Sequence, residues 1–159
     1  MSQQTEREFL YLIHQTTCLI DKTIDASLLR AGQISFSQFL ILMSLKHTPG
    51  SSQQELAKFL DITPAAISRQ IHTLSKLGYL KQKISPGNKR MKILTNTPLG
   101  EAQYQKAVEI IDNELALLRN EMPEERLQQM NTTLRIILTL LHGDTCPITK
   151  NDSLDRMIE

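Results

Sequence analysis

The chain has 159 residues, of which 40% are hydrophobic and 22% charged, and its formal net charge is +1. That length is enough for one domain, or two small ones, with a real core; no apolar run approaches the roughly 18 residues that cross a bilayer, and Cys18 and Cys146, far apart and without CxxC spacing, give neither a disulfide framework nor a zinc knuckle. There is no Trp and aromatics reach only 4%, so Leu and Ile carry the apolar load, which suits helices. The polar, acidic start MSQQTERE is unlike a signal peptide and predicts a cytoplasmic protein.

The first segment, about Glu6 to Arg30, carries Leu10, Ile13, Ile20, Ile24 and Leu28 at helical steps, with Thr17 filling the gap. Phe9, Leu12 and Leu19 widen the stripe beyond what one small domain easily covers, so a partner helix is expected. Ala31-Gly32 ends that helix, and Ser35 or Ser37 caps the next, Phe36 to Lys46. After a turn at Pro49-Gly50, Ser52 and Glu55 have capping-box spacing and open a short helix to Leu60. Thr63-Pro64, a cap followed by proline at the first helical position, starts a helix to about Leu77. Ile67, Ile71 and Leu74 form its inner stripe, and Gly78 closes it.

Two short strands follow, Tyr79 to Ile84 and Met91 to Thr95, around a charged turn from Ser85 to Arg90. Leu80, Gln82 and Ile84 share one side, Lys81 and Lys83 the other. Thr97-Pro98 repeats the cap-then-proline device and opens a helix to about Asn120; Pro123 starts the last, where Leu127, Met130, Leu134, Ile137 and Leu141 form a heptad-like seam. Gly143 stops it. The expected organisation is an N-terminal dimerisation helix (1–34), a winged helix-turn-helix (35–97), C-terminal dimerisation helices (98–142) and a flexible tail (143–159): a mainly α fold with a small β wing.

The net charge of +1 conceals a strong asymmetry. From Lys58 to Lys92 eight basic residues stand against the single acid Asp61, so the flanks are net negative. A basic middle between acidic ends is the footprint of a module that meets phosphate. The short helix, the turn Asp61-Ile62-Thr63 and the following helix form a helix-turn-helix, with the hairpin as its wing. Thr63, Pro64 and Ala65 lie at the start of the second helix, where small residues allow close approach to a major groove and free backbone NH groups face phosphate. Ser68 and Arg69 are placed to meet base edges or phosphates, His72 and Lys76 continue the same face, and Asn88, Lys89 and Arg90 sit at the wing.

These stretches resemble the multiple antibiotic resistance regulator (MarR) family of winged-helix proteins over roughly residues 10 to 141. ISFSQFLILMSL is similar to the family's L-T-x-x-Q-F-x-x-L. QQELAKFLDITPAAISRQIHTLSKLGYL resembles its Q-x-E-L-A-x-x-L stretch and recognition helix. NKRMKILTNTPLG resembles D-R-R-x-x-x-x-x-L-T-x-x-G. Lys89-Arg90 then fall on two arginines, and Thr97 and Gly100 on the final threonine and glycine. Ser85 and Asn88 replace usual aspartates, leaving open how Arg90 is held, and Asn96 replaces a usual leucine. The resemblance implies a homodimer whose first and last helices intertwine, a pseudo-palindromic double-stranded DNA operator, and a repressor relieved by a small-molecule effector bound between the dimer helices and the winged domain.

The cysteine of the family's peroxide-sensing branch falls, counting back from Ile34, at Tyr11; Cys18 reads as a small buried hydrophobe. Cys146 has no activating base in view. His14, His47, His72 and His142 share no ligand spacing, and no GxSxG, P-loop or GxGxxG occurs. Neither catalysis, a cofactor nor a metal is expected. A winged-helix adaptor that binds a protein partner is the alternative, but it calls for an apolar or acidic recognition face. The scarcity of aromatics disfavours RNA.

Overall fold

The computed structural model describes residues 3–32, 34–85 and 88–142. Its elements run α1 (Gln3–Gly32), α2 (Phe36–His47), α3 (Gln53–Phe59), α4 (Pro64–Lys76), β1 (Leu80–Ser85), β2 (Asn88–Asn96), α5 (Pro98–Glu114), α6 (Ala116–Glu121) and α7 (Glu124–His142). The tail from 143, with Cys146, lies outside the described residues.

Local chemistry sets the helix starts. Ser35, not Ser37, caps α2: its hydroxyl accepts from the Gln38 N–H at 3.2 Å while the Gln38 side chain accepts from the Ser35 N–H at 3.0 Å. Asp25 of α1 accepts from the Phe36 N–H at 2.7 Å, fastening α1 to the entry of α2. The expected caps at Ser52, Thr63 and Thr97 are all in place. At the other ends, α3 and α4 each finish in a Schellman turn. The Tyr79 N–H reaches the Leu74 carbonyl and the Gly78 N–H the Ser75 carbonyl, with Gly78 at φ +76. In α3 the Ile62 N–H reaches the Ala57 carbonyl, and the left-handed position is taken by Asp61 at φ +50.

The core gathers Ile24 and Leu28 from α1, Ile34, Phe39, Ile41, Leu42 and Leu45 from around α2, Leu56 and Ala57 from α3, and Ile67, Ile71 and Leu74 from α4. Leu80 and Leu94 close it from the sheet, Tyr104 and Ala107 from α5. Burying a side chain such as Leu74 contributes about 1.5–3 kcal/mol. β1 and β2 pair antiparallel from Leu80↔Asn96 outward, and a segment that sequence reading made only a turn adds a rung: Gly50 and Ser51 exchange backbone hydrogen bonds with Leu94, and Ser52 bridges Ile93.

Two expectations are corrected. The helix from Pro98 is not continuous to Asn120; it breaks at Leu115, and α6 begins at Ala116. The Arg119 guanidinium donates to the Asp112 carbonyl at 2.6 Å, capping a carbonyl of the last turn of α5, while Glu114 is drawn to the Ser27 hydroxyl on α1. The charged turn is also shorter than Ser85 to Arg90. Ser85 pairs with Asn88, so Asn88, Lys89 and Arg90 belong to β2.

The terminal helices look different from this core. Among the described side chains of α1 only Ile24 and Leu28 are buried, while Leu10, Tyr11, Leu12 and Leu19 are more than half exposed. No described side chain of α7 is buried; in and beside its seam, Met130, Leu134, Ile136, Leu140 and Leu141 face outward, the last at 79% exposure. No single helix among the described residues is long and apolar enough to cross a membrane.

A candidate nucleic-acid interface

Four successive local devices aim α4. Ser52 and Glu55 close the capping box on α3, the Glu55 carboxylate accepting from the Ser52 N–H at 2.7 Å. That backbone hydrogen bond, with the one to the Ser52 side chain, holds the Glu55 carboxyl below its ordinary range. The Asp61 turn redirects the chain, and Thr63 then accepts from the Ala66 N–H at 3.2 Å with Pro64 behind it. Finally, the Ile67, Ile71 and Leu74 stripe pins the inner face of α4 to the core.

The opposite face follows from the same helical period. Thr63, Pro64, Ala65, Ser68, Arg69, His72 and Lys76 are all exposed. Ala65, Ser68, Arg69, His72 and Lys76 fall at steps of three and four, on one side of α4, with the small residues toward its N-terminus. No carboxylate lies within α4. Among the described residues, ion pairs join Lys46 to Glu101 and Arg119 to Asp112, and none involves Arg69, Lys76, Lys81, Lys83 or Lys92. Among the described residues nothing neutralises these charges, which leaves them to an external anion.

The wing continues the positive surface. Lys81, Lys83 and Lys92 are exposed, and the register puts Lys92 beside Ile84, itself 63% exposed. Between Ile84↔Lys92 and Ser85↔Asn88 the register shifts, so Lys89, Arg90 and Met91 occupy an irregular stretch of β2. Bulges of this kind re-aim side chains at functional edges. The side chains of Asn88, Lys89 and Arg90 lie outside the described residues, so their backbone is placed and their contacts are not.

Three features escaped sequence reading. Gln53 lies at the α3 start and its amide reaches the Pro64 carbonyl at 3.5 Å, linking the two helices of the motif. Its Q-x-E-L-A context was the available signal. Asn96 enters a polar cluster at the wing root, foreshadowed only by its departure from the family leucine. Cys18, expected to be buried, is partly exposed, its sulfur 3.8 Å from His14 Nε2, because the α1 face that would cover it has no cover within one chain. A small open cleft of about 250 Å³ also lies where α1 meets the start of α2, lined by Asp21, Lys22, Asp25, Phe36 and Ser37.

Residues 34–92 match the model of the MarR family. Among characterised proteins, the chain is 28% identical over 102 residues to the HTH-type transcriptional regulator BilQ of Clostridium symbiosum, covering 64% of this chain and 71% of that one. It is 25% identical over 118 residues to an HTH-type transcriptional repressor of Mycobacterium tuberculosis, covering 73% and 84%. In fold it is similar to a mutant Escherichia coli MarR crystallised with operator DNA, with a TM-score of 0.74 at 21% identity over 87% of this chain and 99% of that one. It is also similar to CouR of Rhodococcus jostii RHA1 bound to p-coumaroyl-CoA, with a TM-score of 0.73 at 19% identity over 86% and 95%.

Proposed function

We propose that this chain, whose residues 34–92 match the MarR family, is a transcriptional regulator of that family, acting as a cytoplasmic homodimer that binds a pseudo-palindromic operator, a repressor relieved by a small-molecule effector. The observation that carries the DNA reading is the outer face of α4: exposed, polar to basic, without a carboxylate, its cations in no ion pair among the described residues, and continuous with a basic wing. Ala65, Ser68 and Arg69 enter the major groove. Thr63 and Pro64 bring the helix N-terminus to phosphate, His72 and Lys76 follow the backbone, and Asn88, Lys89 and Arg90 contact phosphate or minor groove from the wing.

The dimer is supported by the apolar side chains that α1 and α7 leave uncovered. A two-fold pair would place two α4 helices in successive major grooves, half-sites about one helical turn apart. Repression follows the mycobacterial relative's name, and relief by a ligand is supported by the acyl-CoA bound to CouR. The cleft between α1 and α2 is small for such a ligand, so a second copy would have to complete the site. The ligand shifts the operator-bound population only by its differential affinity for the two spacings of the winged domains.

Fluorescence anisotropy on duplexes tiled from the gene's own upstream region, across a salt series, tests this reading. Tight, steeply salt-dependent binding to one near-palindromic tile is expected. Arg69→Ala should lose discrimination between that tile and scrambled DNA. Lys89→Ala and Arg90→Ala should each weaken all duplexes and lower the salt slope by about one unit. Unchanged binding in all three variants refutes the chosen surface, and equally weak binding to every tile favours a protein partner.

A further inference from the structure

We infer that Asn96, clamped between α2 and α5, sets the angle at which the wing leaves the body of the protein, and so is a positioning residue for the wing's contact with DNA. The second half of this inference rests on the DNA reading above; the first does not.

Asn96 is the last residue of β2 and pairs with Leu80 at the first position of β1. Its Nδ2 donates to two acceptors, the Leu42 carbonyl in the middle of α2 at 2.9 Å and Glu101 Oε2 in the first turn of α5 at 3.2 Å. Because both neighbours are acceptors, only one orientation of the amide satisfies them. Glu101 is held in turn: its Oε1 lies 3.1 Å from Lys46 Nζ, which sits 4.7 Å over the Tyr104 ring. Tyr104 stacks on Phe39, ring centroids 5.6 Å apart. The root of the wing is thus tied by directional contacts to two helices at once.

The direction of a two-stranded hairpin is decided where it joins the body. Leu80 and Leu94 are buried, but Lys81, Gln82, Lys83, Ile84, Met91 and Lys92 are exposed, so the outer wing has little else to hold it. A leucine at 96 would fill the same place through non-directional contact, whereas hydrogen bonds constrain angle as well as distance. Asparagine is also not what stability alone selects, because its Oδ1 is buried without a protein partner. That cost sits at the joint between wing and body.

The test is Asn96→Leu, with Glu101→Ala as a second variant that removes one of the two acceptors. In the free protein, the clamp requires that hydrogen exchange of the 80–84 and 91–95 amides rises about tenfold in Asn96→Leu and less in Glu101→Ala, while α4 amides are unchanged and the melting temperature of Asn96→Leu is equal or higher. On the operator tile, Asn96→Leu should lose about tenfold in affinity, and adding Arg90→Ala should then cost far less than it does in the wild type. Unchanged wing exchange overturns the clamp, whatever the DNA result. Raised exchange with a fully additive Arg90→Ala cost overturns the positioning role while leaving the DNA reading intact. If the wild type binds no tile, it is the DNA reading that fails, and exchange alone decides the clamp.

Discussion

The winged domain and the terminal helices use similar apolar residues to opposite effect. Between Ile34 and Ala107 the leucines and isoleucines that set the helical periods are mostly buried, and every predicted helix start in that stretch is capped by a side chain. In the outer half of α1 and along much of α7 the same residue types at the same spacings face outward. The first region is complete within one chain. In the proposed dimer the second would gain its favourable free energy only on association, so the two should respond to substitution through different measurements.

The largest effect is expected from Leu134→Glu in the α7 seam. A charge there should convert the proposed dimer to monomer in sedimentation velocity and lower operator affinity about 100-fold or more as the proposed second half-site contact is lost, with little change in the intrachain core. Leu74→Ala reverses the pattern: it should cost about 2–5 kcal/mol in urea unfolding through the cavity it leaves, with the dimer retained. An unchanged oligomer in the first variant, or a lost dimer in the second, breaks the division into self-sufficient and association-dependent regions. Thr63→Ala sharpens it on a smaller scale, removing one cap at a cost of about 1 kcal/mol and fraying the end of α4 that the operator is expected to touch.

The smallest effects are in the pH dependence of the winged core. Burial, then the neighbouring Lys46 charge, hold His47 below its ordinary value of 6.5, with Glu101 opposing. The unfolded chain therefore binds the His47 proton more readily, and the stability from keeping this ring neutral is present above about pH 6.5 and declines as pH falls through the lowered folded value. His47→Gln should flatten that part of the stability profile between about pH 7.5 and 5.5. Glu55 has the same sign lower on the scale: its contribution is present above its ordinary 4.5 and lost below it. Glu55→Gln should leave the profile above about pH 6 unchanged and remove part of the acid-side fall.

The distinction between the regions was partly legible in the sequence, for reasons that differ by element. Ser52-x-x-Glu55, Thr63-Pro64 and Thr97-Pro98 are local signals: cap chemistry is decided within four residues, and each was placed correctly. The α4 face was legible because Ile67, Ile71 and Leu74 fix the inner side and leave Ser68 and Arg69 no other place to point. The break at Leu115 was not, because it follows contacts such as Ser27 to Glu114 that join residues 87 positions apart. The same holds for Asn96, whose partners Leu42 and Glu101 come from different helices. Sequence reading also could not see that Gly50 to Ser52 pair with β2, since nothing in a Pro-Gly turn announces the strand it lies against.

Gly100, where the winged region passes into α5, has mechanical weight. A Cβ there would lie 2.1 Å from the Tyr79 carbonyl oxygen, and Thr97 bonds both the Gly78 and Tyr79 carbonyls, so the start of α5 rests directly on the main chain where α4 passes into β1. The joint leaves no room for a side chain, so the start of α5 and the connection from α4 to β1 are held against each other there. With 13 residues, α4 is a lever about 20 Å long. A tilt of roughly 10° at the joint would therefore move its N-terminal end by about 3.5 Å, close to the spacing of successive base pairs along a strand.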